Sequence, residues 1–285
     1  MASRIETVQQ HLASWPADRD GAFVTGSSKG IGAAIAARLA KEGLAVVVHY
    51  NRDRKGAEKV VADLAVPLGK ARGAWHCCIG GNLAEKEEAA SVFSKAVDFL
   101  ERAGVRLRCV VNNAGIFETH CILSRDMSLD MWASSWRRTL SVNLESAAFI
   151  SFLAARHWLN EGRPHVPRSI VMISSRGAYR GEPDAPAYGA SKAAMNAMAQ
   201  SLAKALGGPL NVSVSSVVRL FALMHRLFLC HCLSLAPTYP YLPHASPLSV
   251  PRLPVSLEQL WQRMFSQDQE DMRFEHSHPL AAWLR

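Results

Sequence analysis

The chain is predicted to fold as an α/β protein, a doubly wound parallel sheet covered by helices on both faces. Three observations predict it. From Ala22 onward, short β-rich apolar runs alternate strictly with longer segments of helical period rich in Ala, Leu, Glu and Lys. A glycine-rich turn follows the first run and opens the first helical segment. With 285 residues, 49% hydrophobic and 20% charged, the chain can bury one sizeable core with a small appendage.

Each element has its own signal. Ile5, Val8, Leu12 and Trp15 fall on one face of a short helix ended by Pro16, a packing extension within residues 1–20. The first strand is AFVT (Ala22–Thr25), and Gly30–Glu42 reads as helix. AVVVHY (Ala45–Tyr50), AWHCCI (Ala74–Ile79) and LRCVV (Leu107–Val111) read as the next strands, separated by helical segments at Arg54–Leu64 and Glu85–Ala103. A long helical segment, Leu129–Leu159, precedes SIVMIS (Ser169–Ser174), and Ala187–Leu206 precedes NVSVSSV (Asn211–Val217). Parallel strands need crossover connections, so this alternation places helices on both faces. Ligands in such sheets bind beyond the carboxyl ends of the strands, where the winding reverses.

Composition narrows the function classes. The net charge is +8, but the basic residues are scattered, without a stripe of interleaved aromatics, so a nucleic-acid partner is not expected. A polyphosphate ligand accounts for part of that charge equally well. The six cysteines lack disulfide-framework spacing and read as reduced thiols. No charged-then-apolar leader is visible, and Glu6, Asp18 and Asp20 fit a transit peptide poorly, so a cytoplasmic location is expected.

The chemistry sits just after the strands. TGSSKGIG follows the first strand, with Gly26, Gly30 and Gly32 leading into a helix. Glycines permit the tight turn and the close approach of backbone to a pyrophosphate, and the helix N-terminus offers N–H groups to it. HYNR (His49–Arg52) ends the second strand without the carboxylate that holds ribose hydroxyls in NAD-preferring enzymes. Lys29 and Arg52 can instead pair with a 2′-phosphate, which favours NADP over NAD. In YGASK, Tyr188 and Lys192 are four residues apart on one helix and share a face. A free phenol holds its proton to about pH 10, so a proton-donating tyrosine needs a nearby positive charge to stabilise its phenolate.

The spacing TGxxxGxG, the NNAG after the fourth strand and the ordered set Asn143, Ser175, Tyr188, Lys192 together resemble the short-chain dehydrogenase/reductase family. SSRGAYRGEPDAPAYGASKAA is similar to 3-oxoacyl-carrier-protein reductases and related carbonyl reductases. The resemblance covers about Ala22 to Val217. It implies hydride transfer between NADP and a small carbonyl or alcohol, with Tyr188 as acid, Ser175 hydrogen-bonding the substrate oxygen, Lys192 supporting Tyr188 and binding ribose, and Asn143 holding a relay water. The implied cofactor contacts are Gly26, Ser28, Lys29, Gly30, Ile31, Gly32, Asn51, Arg52, Asn82, Leu83, Asn113, Ala114 and Gly115, with Tyr188 and Lys192. Asn82 stands where the family places an Asp against the adenine, and Asn112 is read as structural. A homo-dimer or homo-tetramer is implied, and no metal. The residues that choose the substrate are expected in the loop after the fifth strand and in the loop and helix after the sixth.

The family pattern stops at Val217 or Val218, where Arg219 and Leu220 replace a Pro-Gly pair and the usual seventh strand cannot be found. From Pro209 to Arg285 there is neither glycine nor lysine, and seven of the fourteen prolines follow Val218. The chain therefore divides into an extension (1–20), a nucleotide-binding and catalytic domain (21–217) and an atypical tail (218–285). Val217–Ala236 is apolar, but Arg219, His225, Arg226 and His231 interrupt it, each charge near a bilayer centre costing about 2 to 3 kcal/mol. A helix on the sheet edge is expected there, with no membrane span. Cys230, His231, Cys232 and His225 lack the paired spacing of a metal site. Six prolines in Pro237–Pro254 preclude regular structure, and Val255–Phe265 reads as one short helix. An alternative reading is a catalytically impaired relative that keeps the nucleotide domain, because the replaced segment is the one that clasps the nicotinamide.

Overall fold

The computed structural model describes residues 19–65 and 75–218. The expected N-terminal helix and every expectation for the tail after Val218 lie outside the described residues.

Six strands form one parallel sheet in the order β3-β2-β1-β4-β5-β6. They are β1 (Arg19–Val24), β2 (Ala45–Tyr50), β3 (Cys77–Gly80), β4 (Val105–Asn112), β5 (Arg168–Ile173) and β6 (Val212–Val217). The helices are α1 (Gly30–Lys41), α2 (Arg54–Ala65), α3 (Lys86–Arg102), α4 (Leu129–Leu140), α5 (Ser146–Asn160), α6 (Gly177–Arg180) and α7 (Pro186–Leu210). This is the doubly wound sheet that the alternation predicts. The winding reverses between β1 and β4, which opens the crevice above their carboxyl ends.

Period-two alternation sends the strand residues to two cores. Phe23, Val47, Val110, Ile170 and Met172 pack against α3, α5 and α7, whereas Val24, Val46, Val48, Val111 and Val171 pack against α1 and α2. Both faces are dry, so the strands read as continuous apolar runs.

Three elements differ from the sequence reading. The long helical segment Leu129–Leu159 is one rod whose ladder widens into a π turn at Ser141–Glu145. Residue periodicity cannot reveal a single inserted residue, and such turns gather at functional sites. Asn211, read as the start of the sixth strand, instead caps α7 in the left-handed conformation (φ 52°), its N–H donating to the Leu206 carbonyl. The four-residue α6 is too short to show a period.

Candidate active site

The candidate cofactor end is built by the turns after β1, β2, β3 and β4. Gly26 and Gly30 both take positive φ, near 60°, which a residue with a Cβ adopts only under strain. Gly32 is required by space: a Cβ there would lie 2.5 Å from both the Gly26 carbonyl oxygen and Asn113 Nδ2. The α1 N-terminus has no side-chain cap and no acidic residue in its first turn, and a Cβ on Gly30 would meet nothing within 4 Å. An open, uncapped helix N-terminus beside a glycine turn fits an anionic pyrophosphate. Ser28 and Ile31 are half-buried along the turn.

Hydrogen bonds stitch these turns into one unit. Thr25 Oγ1 accepts the amides of Asn113 and Ala114, both at 2.9 Å, and Asn113 Nδ2 donates to the carbonyls of Thr25 and Gly26. Asn113 thus acts through its side chain as a staple between the first and fourth turns. Asn112 is buried and donates to Ser151 Oγ at 3.0 Å, tying β4 to α5.

His49 escaped the sequence reading. Its Nδ1 accepts the Gly26 N–H at 3.0 Å, and its Nε2 donates to the Gly81 carbonyl at 2.9 Å. These partners require the neutral Nε2–H tautomer. Burial pushes the ring down to about 4, the Gly81 hydrogen bond opposing the shift. His49 therefore spans the glycine turn and the β3 turn from the sheet between them. No spacing rule marks a histidine inside an apolar strand as a bridge.

The remaining predicted cofactor residues divide by exposure. Lys29, Asn51 and Arg52 are exposed. Arg54 is paired with Glu58 at 2.7 Å, and Asp53 is committed to the Gly56 amide at 2.9 Å, so neither faces the end of β2 unpartnered. Asn82 Oδ1 accepts the Ala84 N–H, turning the chain toward α3. The Leu83 side chain is buried and packs in the core beneath this turn.

The reaction end gathers at the tips of β4 and β5. Tyr188 and Lys192 lie on α7, with the lysine Nζ 5.9 Å from the centre of the tyrosine ring. Lys192 Nζ donates to the Ile173 carbonyl at the end of β5 at 2.7 Å. It is buried, and the loss of hydration brings it down to about 8. Ser175 Oγ accepts the Gly177 N–H at 3.1 Å, which leaves the hydroxyl proton free to donate elsewhere. Asn143 sits in the π turn, wholly buried. Its Oδ1 accepts the Ile116 N–H at 2.7 Å, and its Nδ2 donates to the Ile116 carbonyl and to Ser191 Oγ. Gly115 runs over this group: a Cβ there would lie 3.2 Å from Asn143 Oδ1 and 3.6 Å from Lys192 Nζ. The structure thus brings Asn143 and Lys192 to Gly115, with Tyr188 one helical turn from Lys192 and Ser175 two residues beyond the β5 tip that Lys192 grips.

Over residues 20–219 the sequence matches the family described as short chain dehydrogenase. The chain belongs to the short-chain dehydrogenase family. It is 31% identical over 191 residues to an NADPH-dependent aldehyde reductase-like protein of Arabidopsis thaliana, covering 66% of this chain and 67% of that one. It is 30% identical over 199 residues to a 3-oxoacyl-[acyl-carrier-protein] reductase of Synechocystis, covering 69% and 71%. Among solved structures, a short chain dehydrogenase from Burkholderia cenocepacia in complex with NADP is similar at 32% identity and TM-score 0.56, covering 69% of this chain and 72% of that one. An acetoin dehydrogenase from Salmonella typhimurium matches at 26% identity and TM-score 0.60, covering 70% and 76%. As a member of this oxidoreductase family the chain is classed as an enzyme. Among the described residues no helix is long and apolar enough to cross a membrane.

Proposed function

We propose that the protein reduces a carbonyl compound to an alcohol with NADPH. The observation that supports this reading is that Lys192, 5.9 Å from the Tyr188 ring on the same helix, reaches both Gly115, where Asn143 also lies, and the tip of β5 two residues before Ser175. When bound, the dihydronicotinamide supplies the hydride for the carbonyl carbon. The chain's own residues do the rest. Ser175 directs its free hydroxyl proton to the substrate oxygen, and Tyr188 delivers the proton that completes the alcohol. Lys192, mostly protonated at pH 7, places a buried positive charge beside the phenol and stabilises the phenolate left behind. The side-chain amide of Asn143 is committed to Ile116 and Ser191, so we assign its relay water to the backbone of the widened π turn.

The pyrophosphate fits the open N-terminus of α1, with Gly26, Ser28, Gly30, Ile31 and Gly32 around it. Arg52 and Lys29 are the exposed cations for a 2′-phosphate, while the Asp53 carboxylate is turned to Gly56. The Arabidopsis and Burkholderia relatives are named with NADPH and NADP, which supports the same preference here. Asn82 and the backbone of Leu83 face the adenine side, and Asn113, Ala114 and Gly115 the ribose side. Substrate and protein are taken as a small-molecule carbonyl and a cytoplasmic homo-oligomer.

The test is Tyr188→Phe, which keeps the ring and removes only the donor. NADPH consumption with a carbonyl substrate should fall by at least a hundredfold while the melting temperature is unchanged, general acid catalysis contributing about 10² to 10⁴. Turnover that survives in this variant assigns the proton to another group.

A further inference from the structure

We propose that Phe117 is a substrate-contacting wall of the reaction site and selects carbonyl compounds bearing an aryl or other planar apolar group next to the reacting carbon. The inference rests on the carbonyl-reductase reading above and names its substrate class. Phe117 packs edge-on against Tyr188, with ring centres 4.8 Å apart at an interplanar angle of 76°. It is nevertheless 56% exposed, so much of the ring is free to meet a ligand.

The position of this ring is built in. Asn143 clamps both backbone groups of Ile116, the residue before it. Glu118, the residue after it, is paired with Arg138 at 3.1 Å, and the His120 N–H donates to the Asp184 carbonyl at 2.6 Å. The loop after β4 is thus fastened to the π turn, to α4 and to the loop after β5. A side chain flanked by three such ties stays where a substrate meets it, and preorganised contacts of this kind discriminate.

Phe117 is followed by further exposed apolar side chains. Among the described residues, the exposed large hydrophobics are Phe117, Ile122 and Leu123 on the loop after β4, Leu129 and Met131 at the start of α4, Phe152 and Leu159 on α5, and Tyr179 on α6. Phe117 alone of these is in ring contact with Tyr188 among the described residues. A hydroxylated substrate placed there would lose water from its hydroxyls against a ring that returns no hydrogen bond, whereas an aryl group would stack on it. The selecting residue therefore comes from the loop after β4, in addition to the loops from which the family resemblance leads one to expect it.

The test uses the full-length protein and two probes, 2,2,2-trifluoroacetophenone and glyceraldehyde, with NADPH. The wild type should favour the aryl ketone, and Phe117→Ala should shrink the ratio of kcat/KM values by about tenfold, while Phe117→Tyr keeps most of it. Intrinsic reactivities of the probes cancel between variants, and NADPH affinity with melting temperature reports on folding. An unchanged ratio in Phe117→Ala, or a wild type that favours glyceraldehyde, overturns the proposal. If the wild type turns over neither probe, the carbonyl reading itself fails. Binding then decides on Phe117 alone: by ligand-observed NMR, 1-phenylethanol should bind Phe117→Ala roughly fivefold more weakly than wild type, with 1,2-propanediol unmoved. Equal binding of 1-phenylethanol to both proteins overturns it.

Discussion

The Gly26 N–H donates to His49 Nδ1 across 3.0 Å, and the far side of the same ring reaches the Gly81 carbonyl. One buried neutral imidazole thus fixes the spacing between the glycine turn after β1 and the turn after β3. In an unfolded chain the ring takes up a proton below its ordinary 6.5, whereas in the fold it refuses one until about 4. Its contribution is therefore complete above pH 6.5 and is lost on acidification toward pH 4, about 3 kcal/mol in all. His76 behaves alike, burial holding it down to about 4. His49→Asn should remove roughly half of the histidine-linked loss of stability between pH 6.5 and 4 and weaken NADPH binding, as read by urea titration at several pH values and by fluorescence. An acid limb identical to the wild type would show that the ring is not neutral in the fold.

Lys192 is shifted in the same direction but still carries its charge at pH 7. Burial brings its folded value from 10.5 to about 8, so at pH 7 folding places a charge in a poorly hydrated site. That cost, about 3 kcal/mol, is present below pH 8 and disappears as pH rises to 10.5. Lys192→Met should therefore be more stable than the wild type at pH 7 by about 1 to 2 kcal/mol, after the unpaired Ile173 carbonyl is counted. The gap should shrink above pH 8 and reverse by pH 10.5, because the penalty for the unpaired Ile173 carbonyl remains when the charge penalty is gone, and carbonyl reduction should be lost. A stability difference that does not change with pH between 8 and 10.5 would refute this account.

Arg52 sits exposed after β2, where Asp53 is held by Gly56 and Arg54 by Glu58. NADPH should bind more tightly than NADH, and Arg52→Ala should narrow that difference by about tenfold, a charge-assisted contact contributing about 1.5 kcal/mol. Equal affinities in the wild type would remove the preference for the phosphorylated cofactor.

From its sequence, the segment after Val218 is expected to depart from the family pattern, with Arg219 and Leu220 where a Pro-Gly pair is usual. Asn143, Ser175, Tyr188 and Lys192, proposed above to carry the reaction, all precede it, so the chemistry should be present and its rate limited by the replaced segment. Exchanging residues 218–285 for an ordinary family ending that begins Ala-Pro-Gly should raise both NADPH consumption and melting temperature. Equal values for the two proteins would make the native tail a working substitute and remove the impaired alternative.

The sequence by itself determined what is local. Alternating runs named the six strands, because burial on both faces demands apolar residues in short stretches. The turn glycines and the pair Tyr188 and Lys192 were legible because a tight turn and a helical face are set by residues a few positions apart. Tertiary structure alone decided the pairings between distant segments. His49 meets Gly26 and Gly81, Asn143 clamps Ile116, Phe117 packs on Tyr188, and Lys192 grips Ile173. None of these has a characteristic spacing, since each depends on how strands from different parts of the chain are ordered in the sheet. The π turn at Asn143 belongs with them: widening the ladder by one residue costs helical regularity, and what the chain gains, the clamp on Ile116, exists only once β4 lies beside that helix.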